Sequence, residues 1–439
     1  MKSKSFKRNK VNIITLGCSK NLVDSEVLSG QLMANDIDVV HENKHADHNI
    51  VVVNTCGFIE KAKEESINMI LSQVDLKKKG KLDKVYVTGC LSERYKKDLE
   101  LEIPEVDAYF GTMELQGMLK QFEADYKAEL IGERFLATPS HYAYLKISEG
   151  CNRTCAFCAI PLMRGQHISR PVEELVKEAV LLVKRGVKEI MLIAQELTYY
   201  GLDIYKKRML PDLLNRLADI EGLEWIRLHY AYPSKFPLEI LDVVRERNNI
   251  CNYLDMPLQH ASDRMLLAMK RQICQQEMNE LIAAIREKVP GICLRTTLIA
   301  GFPGETREDV EELKTFLQKH RFDRVGIFTY SHEEGTSGYA LDDSLSQEEK
   351  ESRAREIMET QQEISFELNQ QKIGKTFKTL IDKKEAGRWL GRTEFDSVEV
   401  DNEVVVRSST HLSVGQFYDV TITKAYDYDL EGDLTNSFD

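Results

Sequence analysis

Three cysteines stand within eight residues, Cys151, Cys155 and Cys158, in a C-x3-C-x2-C spacing. An apolar run from Tyr142 to Ile147 precedes them and reads as a strand, and Gly150 then opens a tight loop. Cysteine thiolates are the usual ligands of [4Fe–4S] clusters, so such a loop can hold three irons. The fourth iron has no ligand in the motif and is open to chelate a substrate. A structural zinc site would ask for four ligands, commonly in two close pairs. The nearest candidate, His167, lies beyond Pro161 and Gly165 and has no pair of its own. A disulfide framework fits poorly with an odd number of cysteines, nine, in a chain expected in the reducing cytoplasm.

A second trio is spread out in sequence. Val11 to Leu16, Ile50 to Val53 and Lys84 to Val87 are short apolar runs, and they lead into Gly17-Cys18, Thr55-Cys56 and Gly89-Cys90. Residues 24–33 and 62–74 carry helical spacing between them, Ser92 opens a further helix, and Tyr109-Phe110-Gly111 reads as a further short strand. Alternating strands and helices predict a parallel sheet with right-handed crossovers. Ligands of such sheets sit beyond the carboxyl ends of the strands. Cys18, Cys56 and Cys90 all fall there, at intervals of 38 and 34 residues. Neighbouring strands lie about 5 Å apart, so three distant thiols can converge on a second iron–sulfur cluster. A lone strand-end cysteine is usually a small core residue, and the matching positions of three are what favour a site.

The elements that position the compact motif follow from Tyr142 onward. Strands are expected at Tyr142 to Ile147, Glu189 to Ala194, Trp225 to Leu228, Tyr253 to Met256, Ile292 to Ala300 and Val325 to Tyr330. Pro171 begins a helix and Gly186 ends it; Thr306 caps another, with Asp309 at the capping-box position. Six βα units predict a partial (βα)6 TIM-type barrel, whose active groups stand at the carboxyl ends of the strands. Gln195, Glu196, Arg227, His229, Gln259 and His260 are the polar candidates at that mouth, and Gly301 to Gly304 could let backbone approach a ligand. Rim capping is the plainer role for each of them. Cys251, Cys274 and Cys293 read as ordinary thiols.

Ser346 to Gln371 reads as an amphipathic linker helix with Ala354, Ile357, Ile364 and Leu368 on one face. From Gly374 the pattern shortens to runs at Phe377 to Ile381, Val398 to Val406 and Phe417 to Ile422, which predict an OB-like five-strand β-barrel. This last stretch has eight Lys or Arg against thirteen Asp or Glu, a net of −5. The whole chain of 439 residues carries −12. Phosphate contact needs a clustered basic surface, so nucleic acid is a poor partner and a basic protein a better one. No apolar run approaches the ~18 residues that span a bilayer, and Met1 to Lys10 makes a poor signal peptide. The class is therefore α/β. The expected organisation is a flexible tail over 1–10, a parallel-sheet domain over 11–130, the barrel over 137–340, a linker helix over 341–372 and the β-barrel over 373–439.

As a whole the chain resembles the methylthiotransferases of the radical S-adenosylmethionine (SAM) class over nearly all its length. The carrying residues are Leu16-Gly17-Cys18-Ser19-Lys20-Asn21 with Val23-Asp24-Ser25-Glu26, Asn54-Thr55-Cys56, Thr88-Gly89-Cys90, Ile147-Ser148-Glu149-Gly150-Cys151, Met163-Arg164-Gly165 and Ser169-Arg170-Pro171. Ile193-Ala194-Gln195, Pro257-Leu258-Gln259-His260 and Gly301-Phe302-Pro303-Gly304-Glu305 complete them. A ribosomal branch (RimO-type) of that class methylthiolates an aspartate of small-subunit ribosomal protein twelve, and a tRNA branch (MiaB-type) modifies isopentenyladenosine. Ser-Lys-Asn after Cys18 resembles the ribosomal branch, where the tRNA branch typically carries Gln-Met-Asn, and the acidic final domain points the same way. Glu196 departs from the aspartate expected there.

The resemblance implies two [4Fe–4S] clusters and SAM. Cys151, Cys155 and Cys158 would hold the cluster that binds SAM, and Cys18, Cys56 and Cys90 an auxiliary cluster that carries the sulfur. One SAM would methylate that sulfur and a second would yield a 5′-deoxyadenosyl radical, so that the aspartate β-carbon captures the methylthio group. Gln195, Glu196, Arg227, Gln259 and Gly301 are the expected SAM contacts, and the final barrel is expected to be TRAM-type. A basic ribosomal protein is the expected substrate and a reductase or flavodoxin-type protein the electron donor. The scheme asks both trios to face one pocket. Two rival readings remain: the tRNA branch, and a non-enzymatic iron–sulfur scaffold, for which a mouth of polar groups has no use.

Overall fold

The computed structural model describes residues 9–42, 48–130 and 132–435. Most of the tail expected over 1–10 lies outside the described residues. The chain falls into two compact units, one of residues 1–138, 149–152 and 159–181, the other of 139–148, 153–158 and 182–439. No helix among the described residues is long and apolar enough to cross a membrane.

The first unit is built on a five-stranded sheet, β1 (Lys10–Thr15), β2 (Asp38–His41), β3 (Ile50–Thr55), β4 (Lys84–Gly89) and β5 (Ala108–Tyr109), in the order β2-β1-β3-β4-β5. Every pairing is parallel. β3 is central and buried along its whole length, as its unbroken Ile-Val-Val-Val run requires of a strand covered on both faces. Alternate side chains go to opposite sides. Val51 and Val53 join Val85, Val87, Ile70 and Leu91, while Ile50 and Val52 join Val11, Ile13, Leu28 and Tyr86. The covering helices are α1 (Ser19–Met33), α2 (Glu60–Lys78) and α3 (Cys90–Glu102). β2 is absent from the sequence reading: it is a four-residue edge strand whose side chains are half-buried or exposed, and it has no apolar alternation to betray it.

The second unit contains six parallel strands, β6 (Tyr142–Lys146), β7 (Glu189–Ile193), β8 (Trp225–Leu228), β9 (Ile250–Asp255), β10 (Cys293–Ala300) and β11 (Arg324–Thr329). Their spatial order follows sequence order, β11-β10-β9-β8-β7-β6, as a singly wound βα repeat dictates. The capping box is present: Thr306 and Asp309 hold the first turn of the helix Arg307–His320 reciprocally. The linker helix Gln347–Gln370 is capped by Ser346 and buries Ile357 and Ile364.

The closing domain is a closed five-strand barrel, β12 (Thr376–Glu385), β13 (Arg388–Thr393), β14 (Val404–Arg407), β15 (Phe417–Ala425) and β16 (Leu430–Leu434), in the order β12-β13-β14-β16-β15. Two details differ from the sequence reading. The run Val398 to Val406 forms strand only from Val404. The acidic stretch after Asp427 supplies β16, because Leu430 and Gly432 face inward while Asp433 is exposed.

Residues 394–402 leave the small barrel and enter the six-stranded one from the end where its strands begin. Arg227 of β8 donates to the carbonyls of Glu394 (2.6 Å) and Thr393 (3.4 Å). Arg324 Nη2 meets Asp396 at 2.5 Å, His229 Nε2 meets Ser397 Oγ at 2.9 Å, and Tyr253 donates to Asp401 at 2.7 Å. Trp225 stands edge-on to Phe417 at 4.8 Å between centroids. The segment therefore acts as a floor for the barrel.

Candidate metal centres

In the first unit, strand register brings the three tips level. Thr15 stands opposite Asn54, Asn54 opposite Thr88 and Thr55 opposite Gly89. The chain then turns at Gly17 (φ +92°) and Gly89 (φ +98°), a backbone region that favours glycine. Space demands it as well: a Cβ on Gly17 would lie 2.8 Å from Cys56 Sγ, and one on Gly89 2.4 Å from Asn54 Oδ1. Asn21, fully buried, ties the tips together. Its Nδ2 donates to Leu16 O (2.7 Å) and Thr55 O (3.1 Å), and its Oδ1 accepts from Cys90 Sγ at 3.7 Å. Asn54 donates to Asn21 O and Ser25 Oγ, both at 2.9 Å, and Ser66 Oγ holds the N–H and C=O of Cys56. Cys18 is exposed, while Cys56 and Cys90 are buried. Burial pushes both buried thiols up, Cys90 to about 12, with the neighbouring thiols adding to it and Arg164 opposing it. These thiols therefore become thiolates only against strong positive charge, which cluster iron supplies. The donor set fits that group.

Arg164 is a buried cation at this site. Nε lies 3.3 Å from Cys90 Sγ, Nη1 meets Asp24 at 2.6 Å and Glu149 at 3.3 Å, and Nη2 donates to Asn21 Oδ1. Burial works against its charge, yet Asp24, Cys90 and Glu149 hold its pKa well above the ordinary value. Next to it the cysteine loop begins: Cys151 N–H donates to Gly165 O at 3.1 Å. Gly150 has φ +74°, and a Cβ there would stand 2.0 Å from Gln166 O. His167, the zinc candidate, has Nε2 against Ser169 Oγ at 3.1 Å. Among the described residues no three His, Cys, Asp or Glu side chains gather closely enough for a single metal ion. A cluster that gives each thiolate its own iron asks for wider spacing.

In the second unit, Cys155 faces Arg271 Nη1 at 3.2 Å and Tyr232 Oη at 3.6 Å, and Tyr232 donates to Arg271 O at 2.8 Å. Arg153 lies between the rings of Tyr199 (4.0 Å) and Tyr232 (3.8 Å) and 3.5 Å from Glu196. Glu196 also caps the turn Leu197–Tyr199 through Thr198 N (2.8 Å), and burial raises its pKa. Its longer arm thus reaches a residue of the cysteine loop. The loop is held further by Ala156, whose N–H donates to Met269 O and whose carbonyl accepts from Gly338 N.

Several residues expected at the barrel mouth have other posts. Arg227, expected as a SAM contact, is wholly buried, pairs with Glu189 at 2.7 Å and donates to the floor segment. His229 likewise turns to Ser397 and Asp255. His260 accepts from the N–H groups of Ala261 and Ser262 and faces Glu305 at 3.5 Å. The N–H of Gly301 is already bound by both carboxylate oxygens of Glu305 at 3.0 Å, and a Cβ there would strike Lys350 Cγ at 2.3 Å. The absence of a side chain there gives Lys350 of the linker helix its room. Gln259, at φ +79°, extends the sheet toward Thr297 and Ile299 and leaves its side chain half-buried, as is that of Gln195. Arg153, Arg271 and Tyr232 were missed. Arg153 could have been noticed inside the motif, whereas nothing near Arg271 in sequence marks it.

The chain matches the uncharacterized protein family UPF0004 over residues 10–111, the radical SAM superfamily over 145–317 and the TRAM domain over 373–434. It is 58% identical over 435 residues to the ribosomal protein uS12 methylthiotransferase RimO of Cytophaga hutchinsonii, covering 99% of this chain and 100% of that one. The RimO of Bacteroides thetaiotaomicron is 53% identical over 436 residues, covering 99% and 100%. In fold the chain is similar to the radical SAM methyltransferase TsrM of Kitasatospora setae, with TM-score 0.54, 14% identity and coverage of 73% and 75%. It is also similar to the cobalamin-dependent SAM radical enzyme OxsB, with TM-score 0.51, 14% identity and coverage of 80% and 56%. With relatives this similar over the full length, the chain belongs to the RimO family of ribosomal protein uS12 methylthiotransferases, within the radical SAM superfamily.

Proposed function

We propose that the protein adds a methylthio group to the β-carbon of an aspartate in ribosomal protein uS12, in the cytoplasm. The observation that carries this reading is identity above half to RimO proteins along the whole chain. The acidic small barrel supports it, since a ribosomal protein substrate is basic and electrostatic complementarity favours their encounter. On this reading Cys151, Cys155 and Cys158 hold one [4Fe–4S] cluster and Cys18, Cys56 and Cys90 a second. When bound, the clusters and SAM supply an electron, a carbon radical and the sulfur to be inserted.

The chain's own residues do the positioning. Arg271 directs a donor at Cys155, the Tyr232 hydroxyl stands beside that sulfur while donating to Arg271 O, and Glu196 with two tyrosines fixes Arg153 inside the loop. Asn21 and Ser66 fix the strand tips. Gln195, Glu196 and Gln259 remain the proposed SAM-side residues. A reductase or flavodoxin-type protein is the proposed electron donor.

The test is to incubate reconstituted, reduced enzyme anaerobically with SAM and uS12. A methylthio mass gain on one aspartate peptide is expected. Modification of tRNA with none of uS12 would overturn the reading in favour of the other branch. Absence of 5′-deoxyadenosine would overturn it in favour of a scaffold. Cys155→Ala should abolish 5′-deoxyadenosine, whereas Cys56→Ala should still release it but transfer no sulfur.

A further inference from the structure

Arg164 has a post that its motif does not explain. It is charged and buried, and its guanidinium fork is fixed from three sides. Nη1 is held by Asp24 and Glu149, and Nη2 by the carboxamide oxygen of Asn21, which itself anchors two strand tips. That leaves Nε–H one direction, toward Cys90 Sγ, 3.3 Å away.

We infer that Arg164 is a positioning residue for the strand-tip cluster, whose Nε–H bond to the Cys90 sulfur and adjacent charge make that cluster easier to reduce. The inference rests on the proposed role of Cys18, Cys56 and Cys90 as ligands. Adding an electron makes a cluster more negative, and hydrogen bonds to ligand sulfur with nearby positive charge stabilise the more negative state. Arginine does this as a directed donor whose charge is permanent, and a lysine at the same place could not hold the same fork. The plainer role, a tie between the 149–165 segment and the sheet, predicts changes in folding or iron loading and no change in potential.

The test uses the full chain carrying Cys151→Ala, Cys155→Ala and Cys158→Ala, so that only the strand-tip trio can bind a cluster. After anaerobic reconstitution, iron is counted and the cluster titrated against potential by electron paramagnetic resonance. The ratio of reduced to oxidised cluster at fixed potential should fall at least tenfold in Arg164→Gln, about 59 mV for a one-electron couple. In Arg164→Lys, which keeps the charge without the directed bond, it should fall less but measurably. An unchanged midpoint in iron-loaded Arg164→Gln overturns the inference. If the glutamine variant takes up no iron, an unchanged midpoint in Arg164→Lys overturns it. A parent that takes up no iron in the triple-alanine chain overturns instead the assignment of the trio, and this inference with it.

Discussion

Asn21 holds the strand-tip site with one carboxamide. Its Nδ2 spans two carbonyls from different strands and its Oδ1 receives both Cys90 and Arg164. Asn21→Ala would leave Leu16 O and Thr55 O without that donor in a buried place, at a cost of about 1–3 kcal/mol for each unsatisfied group. The expected result is a lower urea midpoint in the cluster-free protein and reduced iron per chain after reconstitution. A variant with both values unchanged would show that the tips are held otherwise. The placement of Cys18, Cys56 and Cys90 at strand tips was legible in the sequence because a short apolar run precedes each of them. The arginines were not. Arg164 meets Cys90 across 74 residues and Arg271 meets Cys155 across 116, and only the fold brings such pairs together. For the same reason the place of Arg227 near a strand end was visible, and its partners Glu189 and Glu394 were not.

Among the elements, the strands that read clearly are those with continuous apolar runs, Ile50 to Val53 of β3 and Ile190 to Ile193 of β7 above all, as burial on both faces favours. Edge and barrel strands read poorly. β2 has four residues and little burial, and β16 hides in an acidic stretch whose inward positions are Leu430, Gly432 and Leu434. The floor segment was taken for strand because Val398 and Val400 keep the β-branched rhythm while the chain serves another partner. At the sheet, Gly89 lets β4 pass straight into α3. Gly89→Ala would put a Cβ against Asn54 Oδ1 and Thr55 O at a φ of +98°. Such strain costs of order 1–3 kcal/mol, so the melting temperature should drop. Gly165→Ala, where a Cβ meets nothing within 4 Å, should cost less in the same assay although its φ is also positive.

At the scale of the whole molecule, charge is concentrated inside the second unit. Burial alone would raise Asp255, but a bond from His229 and the charge of Arg295 bring it from 3.8 down to about 2. Arg324 likewise outweighs burial at Asp396, and Arg392 does so at Glu189 and Asp382. A carboxylate with a depressed folded pKa adds stability that is present above its unfolded value and lost as pH falls through the folded one. The cluster-free protein should therefore hold its stability down to about pH 4 and lose it between there and about pH 2. Glu26 and Glu196, raised by burial, act in the opposite sense: their contribution is present below the ordinary value and lost as pH rises through the folded one. Urea midpoints at a series of pH values check the balance. A midpoint that climbs as the pH falls toward the ordinary carboxylate value would show the raised pair at work, and one that does not fall between about pH 4 and about pH 2 would show that the depressed groups do not dominate. In Asp255→Asn the acid limb should flatten, and stability at neutral pH should fall by roughly 3–5 kcal/mol because Arg295 loses a buried partner.

The floor segment has a consequence for how such enzymes can be recombined. A small domain that only sits beside an enzyme can be exchanged as a cassette. Here residues 394–402 supply the counter-ions of Arg295 and Arg324 and accept from Arg227 deep in another fold. A chimera that imports a foreign small barrel but keeps this inserted loop should fold and purify as a monodisperse species. One that also replaces the loop, or ends at residue 372, takes Asp396 from buried Arg324 and leaves Arg295 with Asp255 alone, and should aggregate. Small barrel and scaffold are thus inherited together, through nine residues of chain.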